Sequence, residues 1–113
     1  MAGNISLSPD RGWFEPAKTL AFGGIGDNYA AIDTVISYPT RVIMIFNKTN
    51  KDLWISIDGV NDYWPINAGY GLVLDDATNG MSLPAGTMFY VKNYAAGDPP
   101  TSGSIIVSIG YKK

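Results

Sequence analysis

The sequence predicts an all-β domain, an antiparallel β-sandwich of jelly-roll-like type with about eight strands and an extended N-terminal arm. Three observations predict it. Apolar residues recur at a spacing of two along most of the chain. Gly, Pro, Asn or Asp interrupts that pattern roughly every eight to twelve residues, the spacing of short strands in a sandwich. No segment shows a convincing helical period, so two packed antiparallel sheets are expected rather than a βαβ arrangement.

In chain order, residues 1–16 form the arm and 17–113 a single sandwich domain. Ala17 to Phe22 is the first strand, ended by Gly23, Gly24 and Gly26. Ala30 to Tyr38 is β-branched and apolar and predicts a second strand, interrupted by Pro39. Between Arg41 and Asn47 the run Val42 to Phe46 leaves neither face polar, so this strand is central or covered. Asn47 to Lys51 is a polar hairpin connection. Asp52 to Asp58 then alternates Leu53, Ile55 and Ile57 with Trp54, Ser56 and Asp58.

Asp58-Gly59 is a turn, Tyr63 to Ile66 a short strand broken by Pro65, and Asn67-Ala68-Gly69 leads into Tyr70 to Leu74. Asn79-Gly80 and Pro84-Ala85-Gly86 are places that want a positive or a fixed φ. Thr87 to Tyr94 alternates Phe89 and Val91 with Tyr90 and Lys92. After a loop from Ala95 to Ser102, Ser104 to Tyr111 puts Ile105, Val107, Ile109 and Tyr111 on one face, with Ile106 the apolar exception on the other.

Composition narrows the function. The chain has 113 residues and neither His nor Cys. It therefore lacks the usual general base, the thiolate nucleophile and the imidazole and thiolate metal ligands. A chain of this length buries roughly two-thirds of its unfolded surface and needs no disulfide or zinc. With 8 basic and 10 acidic residues the formal net charge is -2, which argues against nucleic acid as a partner. The N-terminal residues lack the basic opening and apolar stretch of a signal peptide, and no run approaches the roughly 18 apolar residues of a membrane helix. A soluble protein with no membrane partner is expected.

Few motifs carry chemistry. Asp58, Asn61 and Asp62 cluster, as do Asp75 and Asp76, but neither group has calcium-loop spacing. Turn chemistry, with Asp and Asn bonding nearby backbone, is the better account, a weak cation site the other. Gly23-Gly24-Ile25-Gly26-Asp27 lacks the residues that complete a phosphate loop and is expected to be a turn. Asn4-Ile5-Ser6 and Asn47-Lys48-Thr49 match the glycosylation triplet and are best taken as chance. An enzyme built on paired Asp residues has no supporting motif, so no catalytic residue, metal or cofactor is assigned.

The aromatic residues are more informative. Several fall opposite the core face of their own strands, where they either lie under another element or form a contact surface for protein or sugar. The candidate interface residues are Trp13, Phe14, Trp54, Tyr63, Trp64, Tyr70, Met88, Tyr90 and Tyr94.

The succession Asp52 to Gly59, Pro65-Ile66-Asn67-Ala68-Gly69, Leu83-Pro84-Ala85-Gly86-Thr87 to Lys92 and Pro100-Thr101-Ser102-Gly103-Ser104 to Tyr111 resembles small virion structural proteins of tailed bacteriophages. The resemblance is to the capsid decoration or cement type in particular, and it covers roughly Ile43 to Tyr111. It implies a β-sandwich on the outer capsid surface, made in the host cytoplasm. It also implies a dimer or trimer bound to the major capsid protein, stabilising the shell by binding alone. The alternative is a carbohydrate- or protein-binding β-module of a phage tail or fibre, with Trp54, Tyr63, Trp64 and Tyr70 stacking on sugar rings.

Overall fold

The computed structural model describes residues 13–111, apart from the side chains at 13, 78 and 79. Among the described residues the chain is all-β, with two antiparallel sheets. The strands are β1 (Trp13–Phe14), β2 (Lys18–Ala21), β3 (Ala30–Ala31), β4 (Thr40–Asn47), β5 (Leu53–Ser56), β6 (Trp64–Ile66), β7 (Gly71–Asp75), β8 (Tyr90–Asn93) and β9 (Ser104–Tyr111). Sheet A has the order β1-β9-β4-β7, with β2 also on β9, and sheet B the order β3-β8-β5-β6.

The pairing is nested. β2 lies on β9, β3 on β8, β4 on β7 and β5 on β6, each antiparallel. A long hairpin folded over on itself gives this pattern, with alternate strand pairs falling into opposite sheets. Inward residues of both sheets meet in one core: Ile43 and Ile45 of β4 and Ile105, Val107 and Ile109 of β9 face Leu53, Ile55 and Val91 of sheet B. All are fully buried, as period-two alternation requires of a strand with one face on the core.

The expected arm ends inside the fold. Trp13 pairs with Tyr111 and Phe14 with Gly110, and the Glu15 N–H donates to the Ile109 carbonyl, so residues 13–15 extend the β2 edge of sheet A. The Glu15 carboxylate in turn accepts from the Ser37 and Tyr38 N–H groups, at 3.1 and 3.3 Å. Residues 1–12, including the Asn4 triplet, lie outside the described residues.

Two expectations are corrected. The strand expected over Ala30 to Tyr38 stops at Ala31, because Asp33 takes a left-handed φ of 61° that breaks the extended run. Ile32 and Ile36 still enter the core, from a loop whose backbone bonds the carbonyls of Phe89 and Thr87. The other is a one-turn helix, α1 (Asp76–Asn79), where no helix was expected. The Asp75 carboxylate caps it by accepting from the Ala77 N–H, and Gly80 closes it at φ 66°.

A buried polar clamp joins the sheets. Asn47, fully buried at the end of β4, donates to the carbonyls of Lys51 and Ile66 at 2.8 and 2.9 Å. Its Oδ1 accepts from the Thr49 N–H and hydroxyl. An amide so enclosed is no sugar acceptor, so the Asn47 triplet is a structural turn.

Candidate docking surface

The two outer faces differ in chemistry. On sheet B, Trp54, Tyr90 and Lys92 point outwards because Leu53, Ile55 and Val91 point in. Trp54 stacks on Tyr94 with ring centroids 5.3 Å apart. Lys92, directly across the ladder from Trp54, holds its ammonium 4.8 Å from the Tyr29 ring centroid and 3.3 Å from the Asp62 carboxylate. The Tyr29 hydroxyl donates to the same Asp62 oxygen. Burial, then the Asp62 hydrogen bond, pushes the Tyr29 phenol up, while the Tyr29 bond is the largest cause holding the Asp62 carboxyl down. This face meets its own polar needs.

The Asp58 group behaves as a turn. Its carboxylate accepts from the N–H groups of Val60 and Asn61, from the Asn61 amide and from the hydroxyls of Ser56 and Tyr63. The backbone bonds, Asn61 first, hold its carboxyl well below the usual range, and the Tyr63 phenol is raised chiefly by its bond to Asp58. Asp62 points elsewhere, and among the described residues no three acidic side chains converge. Phe22–Gly24 form a short 3-10 turn, and beyond its exit the Asp27 carboxylate accepts from the Asn93 side-chain amide and from the Gly97 N–H.

Sheet A is different. Its three inner-to-edge strands turn Val42, Met44 and Phe46, then Ile106, Ser108 and Gly110, then Gly71, Val73 and Asp75 away from the core. The only charge among these is Asp75. Phe14, opposite Gly110, extends the surface to the far edge. Phe14, Phe46 and Val73 are 50%, 37% and 55% exposed. The Phe14 ring fills space that a Cβ at residue 110 would enter, coming within 3.2 Å, and Phe46 does the same over Gly71. Both rings thus pack on bare backbone, and no described element covers the resulting apolar face.

The candidate residues from the sequence are dispersed. Phe14 belongs to the apolar face of sheet A, while Trp13 contributes backbone pairing in β1. Trp54, Tyr90 and Tyr94 share the outer side of sheet B, with Tyr90 over Gly59. Tyr63 tilts against Trp64 at 5.7 Å, but Trp64 sits opposite Ile55 and packs on the core. Tyr70, 68% exposed, lines a groove of about 330 Å³ between β6 and β7. Met88 is half-buried in the segment before β8.

Val42, Met44, Phe46, Val73 and Ile106 were not among the candidates. The signal that finds them is the Val42 to Phe46 run: a central strand apolar on both sides needs cover on both sides. No protein-family model, curated protein or solved structure matches this chain.

Proposed function

We propose that this chain is a tailed-bacteriophage capsid decoration protein that lays the outer face of sheet A on the shell of major capsid protein and stabilises it by binding alone. The observation that carries this reading is the apolar face formed by the exposed Phe14, Phe46 and Val73 with the half-buried Val42, Met44 and Ile106, which no described element covers. Apolar area removed from water contributes about 25 cal/mol per Å², and many copies bound across subunit joints act together. Stabilisation follows by linkage, since a ligand that binds only the assembled shell opposes its rupture. We read the nested strand pairing as jelly-roll-like, an architecture that viral capsid and lectin domains use, which is in keeping with this reading.

Purified particles should contain the protein in stoichiometric amount. Particles depleted of it should break at lower temperature and be rescued by added protein, but not by the Met44→Lys or Ile106→Lys variant. Equal stability of depleted and intact particles would refute the reading.

One observation favours a second reading, sugar binding by a tail or fibre module. The exposed Tyr94 of the Trp54 stack borders a cleft of about 170 Å³ lined by Asn50, Lys51, Asp52, Ala95 and Asp98. An aromatic ring beside amide and carboxylate groups suits a pyranose. Selective glycan binding lost on Tyr94→Ala would favour this reading over the first.

A further inference from the structure

We infer that β7 is a pairing edge at which a second copy of this chain continues sheet A. The two sheets have four edges, and three are blunted. β6 carries Pro65, β3 has two residues, and the β1–β2 edge carries Pro16 and a one-residue register step between Phe14↔Gly110 and Lys18↔Val107. These are the devices by which β-proteins prevent edge-to-edge association. β7 has none of them: Gly71 to Asp75 contains no Pro and no Lys, and its register with β4 is unbroken from Phe46↔Gly71 to Val42↔Asp75.

The polarity of that edge follows from one bond. The Asn47 N–H donates to the Tyr70 carbonyl at 2.9 Å, while the Tyr70 N–H bonds Asn67, and that single bond flanks Phe46↔Gly71 as a non-hydrogen-bonded pair of the β4–β7 ladder. Antiparallel pairs alternate, so Leu72 and Leu74 bond β4 while Gly71 and Val73 turn their N–H and C=O groups to the open side. Sheet A ends there.

A second copy fits this edge by symmetry and by charge. A two-fold axis through Val73 makes the strand antiparallel to its own image, and the two Val73 residues exchange both hydrogen bonds. Gly71 of one copy then faces Asp75 of the other, so the single charge on the strand never meets its like. The exposed Val73 and Phe46 side chains run across the joint, and the apolar outer faces become one surface. Such an edge contact is small, so the dimer is expected to be concentration-dependent.

The inference does not rest on the shell reading and is tested on the isolated protein. Sedimentation velocity should show a mass that rises with concentration from 12.2 kDa towards twice that value. Val73→Pro removes an N–H that points away from β4, and it should stay monomeric with an unchanged circular-dichroism spectrum. Met44→Lys, which alters the outer face and not the edge, should still dimerise. A monomer at every concentration, a closed trimer, or a Val73→Pro dimer as tight as the unaltered protein would overturn the inference. Should Val73→Pro not fold, amide exchange in the unaltered chain decides instead: Val73 and Gly71 should exchange more slowly as concentration rises, and concentration-independent exchange would overturn it.

Discussion

The Phe46 ring occupies the space above Gly71 across the β4–β7 ladder, so closely that a Cβ on residue 71 would stand 2.7 Å from the ring Cδ1. Glycine is therefore required by its neighbour rather than by its own backbone angles. Gly71→Ala should force the ring outwards and cost about 1 kcal/mol, the lower end of overpacking. Thermal unfolding checks the cost. If the proposed shell binding holds, its weakening without loss of fold would show that the displaced ring also roughens the outer face of sheet A.

Gly103 is constrained more severely. Its φ is +84°, and a Cβ there would lie 1.9 Å from the Lys48 carbonyl oxygen, a backbone atom with no rotamer to change. Gly103→Ala should destabilise by roughly 4 kcal/mol, among the largest single-residue effects. For a domain of this size that lowers Tm by roughly 15 °C or more.

The Asn47 clamp makes a separate prediction. Asn47→Leu keeps the branched shape of the side chain but leaves the Ile66 carbonyl and the Thr49 N–H without their partner and the Lys51 carbonyl with only the Thr49 hydroxyl. A loss of about 3 kcal/mol is expected from stranding buried polar groups, measured by denaturant unfolding. A loss below about 1 kcal/mol would mean that water replaces the amide.

Stability should fall at both ends of the pH scale, for different residues. The Asp58 and Asp62 carboxyls are held down in the fold, so their contribution is present above about pH 4, the unfolded value, and disappears as pH falls further. Tyr29 and Tyr63 are raised, so theirs is present below about pH 10 and is lost as pH climbs past it. Phenolate absorbance should show two tyrosines ionising above the ordinary tyrosine range. Tyr29→Phe should remove one of them, and Asp58→Ala should flatten the acid limb of Tm against pH.

How much of this was legible depended on how local each feature is. β9 was found end to end because Ile105, Val107 and Ile109 alternate without interruption. The Ile32 to Ile36 loop reads as strand because several of its residues are β-branched, and nothing nearby announces that Asp33 turns left-handed. α1 is too short to show a period, although Gly80 marked its end.

The site was only partly legible for the same reason. Trp54 facing away from Leu53 and Ile55 is a local fact. The Tyr29–Asp62–Lys92 cluster joins three distant segments, and the open face of sheet A depends on β4 lying between β9 and β7. Only pairing reveals either one.

The nested pairing has a kinetic consequence. β9 is wedged between β2 and β4, and its partners include Leu20 and Ile45, encoded far upstream. A nascent chain therefore cannot complete sheet A until β9 has emerged from the ribosome, and until then β1 and β2 lack the strand on which both pair. Maturation of such a topology is slow, in the millisecond-to-second regime of high contact order. Chaperone occupancy during synthesis should accordingly persist until the Ser104–Tyr111 segment clears the exit tunnel.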